Sequence, residues 1–105
     1  MAKYDGFTED LLKIIVGHCY EISTQTKADA FFEYAPHTSE ITIRIYPDGW
    51  SAEADPEYIR YKGTNSIYFN NCDSETEGLE YALEQLAKLH DQYKREMKLS
   101  EEVET

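Results

Sequence analysis

Cysteines and long apolar segments are both scarce in this chain of 105 residues. The two cysteines, Cys19 and Cys72, are far apart, and in a chain without a leader such a pair is by default two reduced thiols in a cytoplasm. The first residues lead into acidic positions rather than an apolar run, which predicts no signal peptide. No apolar segment approaches the roughly 20 residues that a membrane span needs. The sequence therefore predicts a cytoplasmic protein that does not contact a membrane.

Basic residues are also few, because 10 lysines and arginines stand against 21 aspartates and glutamates, for a formal charge of −11. A charge of this size repels phosphate backbones and anionic lipids, so it disfavours direct binding to nucleic acid or to a membrane surface. The same charge favours solubility, or a partner protein that presents a basic surface.

The sequence shows no motif for catalysis, nucleotide binding or metal binding. Gly63 stands alone in its turn instead of belonging to a glycine-rich phosphate loop. Cys19 falls in the apolar stripe of a predicted helix, where a buried thiol is inert. The other soft or imidazole ligands that the fold might bring together are His18, Cys72 and His90, and they do not have the close spacing of a zinc motif. We therefore expect no catalytic residue, no metal and no cofactor, and thus a non-enzymatic protein.

The apolar content is sufficient for one folded core. Hydrophobic residues make up 41% of the chain and aromatic residues 13%, which argues against disorder. At this length we expect a single domain over residues 1–99. Residues 100–105 are acidic and lack apolar periodicity, which predicts a frayed tail.

Two amphipathic segments predict helices. Thr8 can act as the N-cap of the first helix, and Ser74 with Glu77 forms a capping box that opens the second. The buried stripe predicted for the first helix comprises Leu12, Ile15, Cys19 and Ile22. The inner face predicted for the second helix comprises Leu79, Ala82, Leu83, Leu86, Leu89, His90, Tyr93 and Met97.

Alternating isoleucines in residues 40–46 predict a central strand with one buried face. Asp48 and Gly49 then provide a strong hairpin signal, because a type I′ turn needs a positive φ at both central positions. With these two residues as the loop, Ile45 would face Ala52 across the hairpin, and the apolar residues of both strands would share one face.

Further strands complete the predicted sheet. Residues 31–35 read as a strand ended by a proline, and residues 58–62 with 67–70 read as a second hairpin around Gly63. The order is then helix, a four- or five-stranded antiparallel meander, and helix. We predict an α+β fold, a two-layer sandwich with both helices on one face of the sheet.

Two surfaces are candidates for partner binding. The first, which we call the acidic ridge, lies at the start of the second helix and comprises Asp73, Glu75, Glu77, Glu80 and Glu84. It could imitate the phosphates of a nucleic acid in a basic groove, although acidic residues are also ordinary at a helix start. The second is the uncovered sheet face, with Arg44, Tyr46, Tyr58, Arg60 and Tyr68. Tyrosine and arginine are frequent at binding hot spots, but they also suit a solvated, self-paired sheet face.

The run I-Y-P-D-G-W-S-A-E-A-D-P-E-Y, between a leading helix and a closing acidic helix, resembles small uncharacterised phage and prophage proteins of Gram-positive bacteria. The resemblance implies a setting in a bacterial host cell. Small acidic phage proteins in that setting often bind and block a host factor, and anti-CRISPR proteins and other nuclease inhibitors are among them. The resemblance implies no target and no functional residue.

Three classes of function remain open from the sequence. The first is a binding protein that covers a basic surface of a partner, such as a host nucleic-acid enzyme. The second is an immunity protein or antitoxin that neutralises a cognate toxin. The third is a small enzyme or metal protein, for which the sequence offers no motif. We expect the first.

Overall fold

The structure is a computed structural model that describes residues 6–69 and 77–104. Within these residues two helices flank four antiparallel strands, which confirms the predicted α+β fold. The elements are, in chain order, α1 (Gly6–Gln25), β1 (Asp29–Ala35), β2 (Glu40–Tyr46), β3 (Glu57–Tyr58), β4 (Ser66–Tyr68) and α2 (Glu77–Glu104).

Strand β2 lies at the centre of the sheet and pairs with each of the other described strands. On one edge it pairs with β1 over seven residues, with Phe32 opposite Ile43. On the other edge it pairs with both β3 and β4, with Tyr58 opposite Arg44 and Ile67 opposite Ile41. Strands β3 and β4 therefore lie end to end along the same edge.

The hairpin predicted around Asp48 and Gly49 is wrong, because the turn forms one residue earlier. The backbone N–H of Gly49 donates to the carbonyl of Tyr46 at 3.0 Å, so Pro47 and Asp48 are the central residues. Proline at the second position and glycine at the fourth are typical of a type I turn, which splays two strands apart. The chain accordingly leaves the sheet, Ala52 is exposed, and pairing resumes where Glu57 of β3 faces Ile45.

The second predicted hairpin also differs from the structure, because its two arms pair with β2 rather than with each other. Between them the chain forms a small outward loop, in which Tyr61 and Thr64 exchange backbone hydrogen bonds of 3.0 and 3.2 Å. The two residues at its tip, Lys62 and Gly63, have φ values of 52° and 81°. Two consecutive positive φ angles allow this tight reversal, so it interrupts the edge strand without ending it.

Helix α1 begins at Gly6, so Thr8 lies in its first turn instead of serving as the N-cap. Its predicted stripe is confirmed at Ile15, Cys19 and Ile22, which are buried, while Leu11 is more deeply buried than Leu12. The inner face predicted for α2 is confirmed as well, since each of its residues is buried or half-buried.

Helix α2 extends to Glu104, so it includes most of the acidic segment predicted as a frayed tail. Glutamate and lysine are good helix formers, which lets the helix continue beyond its apolar stripe. At the other end, the predicted cap at Ser74 lies outside the described residues.

Both helices pack on the isoleucine face of the sheet, as predicted. Ile41, Ile43 and Ile45 of β2 are almost entirely buried and belong to one apolar cluster with residues of α1 and α2. The first turn of α2 approaches β4 closely at Gly78, where a Cβ atom would lie 2.8 Å from Cγ2 of Ile67. A side chain at Gly78 would therefore push α2 away from the sheet.

Replacing Ile43 with aspartate is expected to unfold the domain, because it places a charge in the centre of the core. The free energy of unfolding should fall by more than about 4 kcal/mol in urea denaturation. The control is Arg44→Ala on the opposite face, which should cost about 1 kcal/mol or less, since its ion pair is partly exposed. Equal losses for the two variants would contradict the assignment of faces.

Candidate functional site

Arg44, a residue of the predicted sheet-face surface, is already engaged by its own sheet. Its Nη2 atom lies 2.9 Å from Oε1 of Glu33, a diagonal neighbour on β1, where Phe31 is the residue directly opposite Arg44. The guanidinium also lies over the ring of Phe31, 5.1 Å from the ring centroid. The charge of Arg44 is therefore largely compensated within the sheet.

The predicted exposure of Tyr46 on the sheet face is wrong, because this residue is buried, with 6% of its surface exposed. Its ring packs edge to face against Phe31, with 5.4 Å between the centroids. Strand alternation places Tyr46 on the open face, but the aromatic neighbour on β1 contributes to its burial. Tyr46 thus packs within the sheet and exposes little surface.

The other three residues of this predicted surface are exposed but dispersed. Tyr58 and Tyr68 face β2 at positions four residues apart, which corresponds to about 13 Å along a strand. The Nη2 atom of Arg60 donates to the carbonyl of Gly63 at 2.7 Å, so it is used to hold the small loop. The structure does not bring these residues into one patch.

The described part of the acidic ridge lies on the outer side of α2. Glu77, Glu80 and Glu84 are exposed, and Glu84 forms an ion pair of 3.2 Å with Lys88. Among the described residues neither Glu77 nor Glu80 has an ion-pair partner. The remaining predicted members, Asp73 and Glu75, lie outside the described residues.

A groove of about 270 Å³ borders the acidic ridge. It separates the edge of the sheet from α2, and its lining residues are Tyr58, Ile59, Arg60, Tyr81, Gln85 and Leu89. Tyr81 lies one turn after Glu77 on α2, and its ring contacts that of Tyr61 at 5.4 Å between centroids. Tyr81 is not among the site residues predicted from the sequence, although its position outside the apolar stripe of α2 indicates an exposed aromatic residue.

A second cluster joins the two helices and contains two imidazoles and a carboxylate. His18 and Glu21 lie one turn apart on α1, and His90 comes from α2. The Nδ1 atoms of the two histidines are 3.4 Å apart, and Oε2 of Glu21 lies 3.6 Å from Nδ1 of His90. From the sequence both histidines are potential ligands and Glu21 is not identified, although its spacing of three residues from His18 places the two on one helix face.

Gln25 orients the imidazole of His90. The Nε2 atom of His90 lies 3.2 Å from Oε1 of Gln25, an amide oxygen that can only accept a hydrogen bond. With the ring proton on Nε2, His90 donates to Oε1 of Gln25, and Nδ1 directs a lone pair toward His18 and Glu21. Burial lowers the pKa of His90, while the nearby Glu21 partly opposes this effect, so the ring is neutral near pH 7.

Comparisons with known proteins assign no family: no family model matches the chain, and searches of curated proteins and of solved structures found no significant match. None of the described helices is long and apolar enough to span a membrane.

Cys19 is a buried, free thiol, as predicted, and burial raises its pKa to about 12. The predicted free thiol at Cys72 lies outside the described residues. With a pKa three units above the ordinary value of 9.0, the thiolate fraction near pH 8 falls about 1,000-fold.

Alkylation of Cys19 should therefore be about 1,000-fold slower in the native protein than in urea, since the thiolate is the reactive form. The measurement uses a Cys72→Ser variant, in which Cys19 is the only thiol, and follows labelling by mass spectrometry at pH 8. Comparable labelling rates in the native and unfolded states would show that Cys19 is accessible.

Proposed function

We propose that this protein is a non-enzymatic binding protein that covers a basic surface of a partner protein with its acidic ridge. The class of partner that fits best is a bacterial nucleic-acid enzyme, since such enzymes carry basic grooves that bind phosphates. In this proposal the protein acts in the cytoplasm of the host cell, in the manner of small phage proteins that block host factors.

The observation that carries the proposal is the exposed position of three glutamates along one side of α2. Glu77 and Glu84 are seven positions apart, which corresponds to about 10 Å along a helix axis, and Glu80 lies between them. This length is comparable to the Debye length of about 10 Å at 0.1 M salt, so an approaching basic surface experiences the charges of Glu77 and Glu80 together. Glu84 contributes as well, because its ion pair with Lys88 is exposed and therefore weak. With a net charge of −11 behind them, they favour fast association with a basic partner.

The groove beside the acidic ridge gives the surface a place for an anchor residue. Tyr58 and Tyr81 line it, and Glu77 lies one helical turn from Tyr81. A lysine or arginine of the partner could lay its aliphatic stem against the tyrosine rings and place its charge near the carboxylates. Complementary charge would then speed the encounter, while the aromatic groove would slow dissociation.

The open sheet face supports partner binding less well. Arg44 is paired with Glu33, Tyr46 is buried, and the exposed tyrosines of that face are separated. The internal pairing accounts for this face as a solvated surface of the sheet.

Neutralising the acidic ridge should slow association with the partner. The variant combines Glu77→Gln, Glu80→Gln and Glu84→Gln, and the matched control combines Asp10→Asn, Glu53→Gln and Asp55→Asn, three exposed acidic residues elsewhere. A partner is first captured from bacterial lysate with the immobilised wild-type protein and then purified. In surface plasmon resonance we expect the ridge variant to associate at least about 10-fold more slowly, and the control within about twofold of the wild type.

The proposal fails if the purified partner is acidic, or if the control variant loses as much association rate as the ridge variant. The first result would remove the basis for charge complementarity, and the second would assign the effect to net charge alone. A loss of affinity in Tyr68→Ala, which lies outside the groove, with the ridge variant unaffected, would move the interface to the sheet face.

A further inference from the structure

The cluster between the helices has the dimensions of a tetrahedral metal site. Zinc binds histidine nitrogen at about 2.0–2.1 Å, so two of its ligands in a tetrahedron lie about 3.3–3.4 Å apart. The separation of 3.4 Å between Nδ1 of His18 and Nδ1 of His90 matches this value, and the 3.6 Å from Glu21 is close to it. All three potential ligand atoms lie within 4.8 Å of one another.

The polar atoms of the cluster also suit a cation when the ring proton of His90 is on Nε2. In that tautomer Nε2 donates to Oε1 of Gln25, and Nδ1 of His90 presents a lone pair to the carboxylate of Glu21. Two acceptors at 3.6 Å repel each other unless a positive group lies near both. A proton on Nδ1 of His18 would satisfy His90 alone, whereas a metal ion would satisfy all three groups.

We propose that His18, Glu21 and His90 bind one divalent zinc ion, which links α1 to α2 and leaves a fourth coordination position for water. Two imidazoles and one carboxylate form a ligand set used by zinc, whereas calcium and magnesium prefer oxygen ligands throughout. His18 is half-buried and Glu21 is exposed, so the ion can enter from solvent. Gln25 is a positioning residue, because it fixes the tautomer in which Nδ1 of His90 can coordinate.

Several features distinguish this site from the rest of the chain. The ligands come from two helices, and 72 positions separate the two histidines in sequence. Cys19 is next to His18 but is buried in the core with a raised pKa, so the site contains no thiolate. The third histidine, His37, is exposed in the turn between β1 and β2 and provides a control that should leave the site intact.

The test treats the full chain with a chelator and then titrates it with zinc chloride in an isothermal titration calorimeter. Thermal unfolding is measured with and without zinc. We expect one zinc per chain and a higher melting temperature, because an ion that binds only the folded state stabilises it. Cobalt(II) in place of zinc should give the visible bands of a tetrahedral site without a thiolate-to-cobalt charge-transfer band.

Variants of the cluster distinguish specific zinc binding at these residues from general binding to surface histidines and carboxylates. His18→Ala and Glu21→Gln, both at positions that are not buried, should lower zinc affinity by at least about 100-fold, and Gln25→Ala by about 10–100-fold. His37→Ala should bind zinc as the wild type does. Because His90 is buried, His90→Ala is judged only if its circular dichroism spectrum shows a folded protein.

Two results would overturn the proposal. One is the absence of saturable zinc binding at one ion per chain. The other is an affinity that falls as much in His37→Ala as in Glu21→Gln, which would show that zinc binds the surface without using the cluster.

Discussion

The pairing of β2 on both of its edges is the constraint on which the rest of the structure depends. Its isoleucines lie under both helices, and its two edges hold β1 on one side and the interrupted strand of β3 and β4 on the other. A central strand with one fully buried face has its register strongly specified, since a shift by one residue would place the isoleucines in solvent. The positions of α1 and α2, and hence of both candidate sites, follow from that face.

The sequence predicted the elements better than their pairing. The isoleucine alternation and the two apolar stripes are local patterns, and they identified the sheet face and the helix faces that the structure shows. The predicted strand pairing was wrong at the turns, where a single residue determines the turn type. Pro47 shifted the first turn out of a hairpin geometry, and the tight reversal at Lys62 and Gly63 turned a predicted hairpin into one interrupted edge strand.

The candidate sites likewise differ in whether local sequence patterns predict them. Glu77, Glu80 and Glu84 belong to one helix, so their shared exposure could be derived from helical spacing. The cluster of His18 and His90 depends on how the two helices pack together. All four described strands lie between these helices in the sequence, so residue spacing along the chain does not predict their contact. The burial of Tyr46 likewise depends on a neighbour in another strand.

The central claim is that the outer side of α2 meets the partner, and carboxylate footprinting of the complex tests it most directly. The protein is labelled with a carbodiimide and an amine, alone and with its purified partner, and the modified sites are quantified by mass spectrometry. The account predicts that Glu77, Glu80 and Glu84 lose most of their labelling in the complex, while Glu53 and Asp55 keep theirs. Protection of Glu33 and Glu40 on the sheet, with the three ridge glutamates still labelled, would contradict it.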